Sequence, residues 1–155
     1  RITAPARLEL LSSTLQSIMN HTKAGSTRTS AEERLTQIKI IQNELAAGTL
    51  GDPSTTDKTI DEYIRKVIIL SRKTAKDNGW REDWLSELQK ILDSLSSTIM
   101  ENAFAQELIA DGITATEIEE RTRSYILSKG VVMAQKGQKI EVEKIINLIL
   151  DELVR

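Results

Sequence analysis

The stretch from Thr59 to Gly79, TIDEYIRKVIILSRKTAKDNG, decides the fold class. Its centre, Val67-Ile68-Ile69-Leu70, is a continuous apolar run that on its own reads as a buried strand. The flanks favour helix instead. Thr59 stands three residues ahead of Glu62, the spacing of a capping box, Ile60, Ile64, Val67 and Ile68 recur at helical intervals, and Asn78-Gly79 supplies a C-terminal stop. With this run assigned to helix, no convincing pair of strands is left in the chain, and the class is all-α.

The same spacing recurs at Ser30 with Glu33 and at Thr114 with Glu117, so three capping boxes mark three expected helix starts. Thr3-Ala4-Pro5 opens a first helix over about residues 4 to 22, with Leu8, Leu11, Leu15, Ile18 and Met19 inward. The second is expected after Ser30, with Leu35, Ile38, Ile41 and Leu45 on one stripe and Gly48 as its left-handed terminator; KAGSTRT (23–29) and TLGDPSTTDK (49–58) read as loops. Trp84, Leu88, Ile91, Leu95 and Ile99, widened by Leu85 and Leu92, describe the broad apolar face of a core-facing bundle helix, with a bend expected at Ser96-Ser97-Thr98. Thr114 opens a helix that Lys129-Gly130 is expected to end. VVMAQKG (131–137) reads either as a short strand or as a connector, and a last helix from about Lys139 carries Val142, Ile145, Ile146, Ile149, Leu150 and Leu153. The architecture expected is a multi-helix bundle over residues 1–111 with a smaller C-terminal helical subdomain at 112–155, or one compact domain.

Length and composition bound the function. A chain of 155 residues buries enough surface for a real core, and with aromatics at only 3% that core must be aliphatic. The 21 basic and 23 acidic residues leave a net charge of −2, which opposes a general nucleic-acid surface. The absence of Cys removes thiolate chemistry, disulfides and Cys-ligated metals, and points to a cytoplasmic or organellar-matrix protein. No apolar stretch reaches the roughly 18 residues of a membrane span, no signal peptide is read ahead of the first helix, and the start at Arg1 rather than Met raises the expectation of a trimmed chain.

Candidate chemistry is thin. His21 is the single histidine and sits where an imidazolium would favour a helix C-terminus. The carboxylate clusters Asp61/Glu62, Glu82/Asp83 and Glu117/Glu119/Glu120 all fall in expected first helical turns, where negative charge is stabilised without a metal or an acid–base role. Neither phosphate-loop pattern, G-x-G-x-x-G or G-x-x-x-x-G-K-[ST], occurs. No catalytic, cofactor-binding or metal-binding residue is therefore assigned.

Two groups suit macromolecular contact. Trp80 and Trp84, one turn apart in NGWREDW and accompanied by Arg81, are residue types enriched in interface hot spots, and are taken as the partner-binding candidates. Basic residues gather at Arg65, Lys66, Arg72, Lys73, Lys76 and Arg81; of these Arg65, Arg72 and Lys76 fall near one helical face and are the nucleic-acid-binding candidates.

Four segments carry a family resemblance: RLTQIKIIQNEL (Arg34 to Leu45), NGWREDWLSELQKIL (Asn78 to Leu92), TATEIEERTRSYILSKG (Thr114 to Gly130) and KGQKIEVEKIINLILDEL (Lys136 to Leu153). In this order they resemble the YqeY family and the related tail domain of the GatB subunit of tRNA-dependent amidotransferases. The family's Leu-Pro break after the long helix and its Ala-Asp-Gly after Lys-Gly have no counterpart here. The resemblance implies an α-helical domain associated with tRNA or an amidotransferase assembly, without catalytic residues to carry over.

The sequence thus reads as a non-catalytic, all-α macromolecule-binding domain, with a protein partner or self-association expected first and a nucleic-acid contact as the alternative. Neither a membrane nor a small-molecule cofactor is expected. Ile146→Asp places an unpaired charge in the apolar seam of the last helix and should cost more than about 4 kcal/mol. Circular dichroism during urea unfolding should show the C-terminal unit lost; an unchanged melting profile would show that helix to be misplaced.

Overall fold

The computed structural model describes residues 3–155, and among these every regular element is helical. The helices are α1 (Ala4–Asn20), α2 (Ser26–Ala47), α3 (Pro53–Asn78), α4 (Trp84–Glu101), α5 (Ala103–Ala110), α6 (Ala115–Tyr125), α7 (Val131–Gln135) and α8 (Val142–Leu153). They fall into two compact units, divided between Leu85 and Ser86. That division lies two residues into α4, not at residues 111 and 112, because α5 packs against α6 and α8.

In the N-terminal unit α1 lies against both α2 and α3. Thr3 caps α1, its Oγ1 accepting from the Ala6 N–H at 3.4 Å, and Pro5 occupies the first turn where its missing N–H costs nothing. Leu8, Leu11, Leu15 and Ile18 are fully buried, joined by Ile38 of α2 and by Ile60 and Val67 of α3. Two of the three capping boxes are not helix starts. Helix α2 begins four residues before Ser30, with Gly25 as its N-cap, and α3 begins at Pro53, six residues before Thr59. The stronger signal at α3 is Asp52-Pro53: the Asp52 carboxylate accepts from the Thr55 N–H at 3.0 Å and from its hydroxyl at 3.2 Å. Those bonds, the backbone one first, hold the Asp52 carboxyl below its ordinary range, so the cap is charged at neutral pH and its contribution fades only as acid protonates it. Thr59 then lies inside the helix, its hydroxyl donating back to the Thr55 carbonyl. Gly48 and Gly79 close α2 and α3 in the left-handed conformation, with φ of 72° and 68°, as their spacing predicts.

Arg7 ties α1 to the start of α3. Its side chain is 3% exposed, and its guanidinium bonds the Asp61 carboxylate and, at 3.4 Å, Asp57 Oδ1. Both carboxylates remain about half exposed, while Arg7 Nε has no acceptor.

In the C-terminal unit, Leu88, Leu92, Leu95 and Ile99 of α4 are buried as their spacing requires. The chain breaks at Asn102 and not at Ser96-Ser97-Thr98. Asn102 Oδ1 caps α5 by accepting from the Ala105 N–H at 2.9 Å, and its Nδ2 donates to Glu143 Oε2 and Asn147 Oδ1, both at 3.1 Å on α8. Both donors of this buried amide and its oxygen are thereby engaged. Thr114 is the box that holds: its hydroxyl accepts from the Glu117 N–H at 3.1 Å and starts α6.

Gly130 does not end that helix. Its φ is −79°, and a π-helical turn over Ile126–Gly130 carries the chain straight into α7, so VVMAQKG is helix rather than strand. A glycine is needed there for closeness. A Cβ at Gly130 would meet Ile140 Cδ1 at 3.2 Å and Ile126 Cγ2 at 3.3 Å, tighter than ordinary packing. Helix α8 presents Ile146, Ile149 and Leu150 inward.

The Arg7 cluster makes an asymmetric prediction. Asp57→Asn with Asp61→Asn strands a buried guanidinium and should cost about 2–3 kcal/mol, whereas Arg7→Met removes the charge and an orphan donor together, leaves two carboxylates able to hydrate, and should cost less than about 1.5 kcal/mol. Urea unfolding of both variants gives the comparison; the reverse order would mean that Arg7 acts mainly through its stem packing.

Candidate functional site

Helix α3 is long, and its buried stripe is narrow: Thr56, Ile60, Val67, Ser71, Thr74 and Ala75 are its only fully buried residues. Three of the six are hydroxylated, and Ser71 and Thr74 satisfy themselves by donating to the Ile68 and Leu70 carbonyls. The opposite side of the helix faces solvent. At its centre stands Ile69, 68% exposed and the most exposed of the large apolar side chains. Counting along the helix, Arg65 and Lys66 lie four and three residues before it, and Arg72 and Lys73 three and four after. Those are the positions whose side chains neighbour residue 69 on a helix surface. Ile69 is an apolar knob in a ring of four exposed cations.

None of these cations has a carboxylate within 4.0 Å among the described residues; Lys66 lies 5.5 Å from the Tyr63 ring centroid. The nearest exposed acid along the helix is Glu62, one turn before the ring. Lys76 continues the face one turn beyond Arg72 and, being in the last turn, gains from the negative end of the helix. Arg65 and Lys66, in the middle of α3, have no such benefit. Arg65, Arg72 and Lys76 therefore do share an exposed face, spread over about 16 Å at 1.5 Å per residue.

The tryptophan group is divided by the fold. Trp84 is fully buried and offers no surface to a partner, which corrects its assignment as an interface residue; its indole N–H has no acceptor. A Trp at an i+4 spacing from another looks the same in sequence whether it faces the core or solvent. Trp80 is half-buried and packs edge-on against His21, with centroids 4.8 Å apart and planes at 78°. Arg81 is exposed and engages Asp83, Nε to Oδ1 at 2.5 Å. His21 follows α1, its Nδ1 lying 2.8 Å from the Ser17 carbonyl, which fixes Nδ1 as the protonated nitrogen. A cleft of about 380 Å³ opens beside it, lined by Lys23, Ser26, Thr27, Lys73 and Asn78 among others.

A comparison of the chain with family models, curated proteins and solved structures finds no match. The site must be read from its own geometry. Among the described residues no group of three His, Asp or Glu side chains could hold a metal ion, and no helix is long and apolar enough to cross a membrane.

The C-terminal unit carries a second surface feature, a shallow groove of about 620 Å³ between α6 and α8. Tyr125, Ser124, Ser128 and Ile149 line it, with Glu120 and Glu152 also present. Arg121, the basic residue of the groove, is engaged by Glu117 at 3.4 Å, whereas Glu120 and Glu152 have no ion-pair partner among the described residues.

Sequence reasoning singled out the basic residues of α3 but not the knob among them, because Ile69 sits inside VIIL and the run reads as core. Its exposure carries a prediction. Ile69→Ser should change unfolding free energy by no more than about 0.5 kcal/mol, as expected of a surface position, against roughly 2–5 kcal/mol for the neighbouring Val67→Ala or Ile60→Ala. Equal losses at 69 and 60 would place Ile69 in the core.

Proposed function

We propose that this chain is a non-catalytic helical domain that binds another protein through the solvent face of α3. The observation that carries this reading is the knob: an isoleucine 68% exposed, ringed by Arg65, Lys66, Arg72 and Lys73, none of which forms an ion pair among the described residues. An apolar anchor within a polar rim is the anatomy of a small protein interface. Four cations without an ion pair among the described residues, two of them far from either helix end, repel one another by a few tenths of a kcal/mol per close pair, and an acidic partner would reverse the sign. The complementary ligand is an acidic amphipathic surface with an aliphatic or aromatic centre. Trp80 and Arg81 lie beyond the C-terminal end of α3, at the edge of this face in sequence, and would extend the rim.

A second reading rests on the line formed by Arg65, Arg72 and Lys76: a nucleic-acid contact, with tRNA as the class implied by the resemblance to the YqeY family and the GatB tail. Phosphate contacts need the cations alone. An exposed isoleucine at their centre adds nothing to such contacts, and the net charge of −2 steers no polyanion towards the chain. The protein reading is therefore preferred.

Fluorescence anisotropy separates the two. The probes are a labelled helical peptide with Leu at i, i+4 spacing set among Glu residues, and labelled single-stranded and duplex RNA of one length. The protein reading expects the peptide to bind and Ile69→Glu to weaken it by roughly tenfold or more. RNA bound more tightly than the peptide, indifferent to Ile69→Glu and falling steeply with salt, would replace this reading with the second.

A further inference from the structure

We infer that the α3 ridge of one copy of this chain docks into the α6/α8 groove of another. This inference rests on the protein-binding reading of α3 and names the partner. The two surfaces are complementary in shape, in apolar content and in charge. The ridge is convex, with Ile69 standing free of the protein at its centre. The groove is shallow, and the partly exposed Tyr125 and the buried Ile149 are among the residues that line it. Around the knob stand the cations Arg65, Lys66, Arg72 and Lys73, with Lys66 over the Tyr63 ring, and in the groove stand the carboxylates Glu120 and Glu152; none of the six forms an ion pair among the described residues. The groove's own arginine is already neutralised by Glu117, so it does not oppose an incoming cation.

Each half of the match is explained poorly alone. Glu120 is past the first turn of α6, and Glu152 lies in the last turn of α8, where negative charge opposes the helix dipole. Cations from a second copy would reverse that cost. The contact is small, one ridge in one shallow groove, and so belongs to the weak, salt-sensitive class of associations steered by opposite charge. It is also heterologous, since a ridge meets a groove rather than its own image. That property makes the inference testable without knowing how large the assembly grows.

The experiment is sedimentation velocity of the full chain at low salt over a range of concentrations, on the wild type, a ridge variant (Ile69→Glu with Arg72→Glu), a groove variant (Glu120→Lys with Glu152→Lys), and an equimolar mixture of the two variants. All substitutions are at exposed positions, and circular dichroism confirms the fold. The wild type should self-associate, and added salt should weaken it. Each variant alone should associate at least about tenfold more weakly, because each lacks one of the two surfaces. The mixture should form a heterodimer, because the intact groove of one variant meets the intact ridge of the other. A wild type that stays monomeric at high micromolar concentration overturns the inference, as does a mixture that stays monomeric while the wild type associates. If the wild type is monomeric yet the acidic peptide still binds and is lost in Ile69→Glu, the self-contact fails and α3 remains a docking surface for a different protein. If the peptide fails too, the reading of α3 falls with it.

Discussion

A helix of 26 residues that buries only a thin stripe has to leave most of its circumference in water, and this constraint on α3 shapes the molecule's surface. The stripe is thin because Ser71, Thr74 and Ala75 occupy positions that Leu or Ile would fill in a broad-faced helix such as α4. Small residues bring α3 close to its neighbours over its C-terminal half while gaining little from hydrophobic burial, so each apolar residue that is buried there counts for more. The remaining side is free to carry charge. It carries cations around an isoleucine, and neighbouring like charges at these spacings cost stability within the chain.

The legibility of the fold followed the strength of its local signals. Apolar periodicity placed the core of α1, α4 and α8 correctly, since Leu8, Leu15, Leu88, Leu95, Ile146 and Ile149 have no alternative inward face. Helix starts were read less well. Ser30-Glu33 and Thr59-Glu62 have the spacing of a cap, but three residues is also nearly one helical turn, and the same pair occurs inside helices for reasons of surface charge. Asp52-Pro53 carried more information, because proline at the first turn excludes most other conformations. Gly130 misled for a different reason. A glycine after a basic helical turn reads as a left-handed stop, whereas here it makes room for Ile140, a residue ten positions away whose approach no local pattern records.

The site was legible in charge and illegible in exposure. Arg65, Arg72 and Lys76 could be placed on one face by counting, and the structure keeps them there. Whether a given apolar residue faces in or out depends on where the stripe of its helix is centred, and in VIIL every residue is apolar. Val67 is buried and Ile69 is not, two positions apart, because the neighbouring helices meet α3 along the line of Ile60, Val67 and Ser71. The same ambiguity divides Trp80 from Trp84. Tertiary packing chose between them, burying Trp84 and leaving Trp80 partly exposed.

An almost purely aliphatic core specifies volume better than it specifies register, since Leu and Ile interchange among neighbouring holes at little cost. Each unit of this chain contains one buried polar side chain whose partners fix a register. Arg7 draws Asp57 and Asp61 to one end of α1, and thereby sets how far α3 can slide and rotate. Asn102 holds Glu143 and Asn147 and does the same for α8. Such groups contribute little net stability, because desolvation offsets most of what their bonds return, but they penalise every packing in which those bonds are broken. Helices α3 and α8 are the elements that carry the ridge and one wall of the groove. A slip of one residue along α3 would turn Ile69, together with the cations around it, by about 100°. The placement of the two polar anchors is thus what allows an aliphatic bundle to hold a surface residue to one direction.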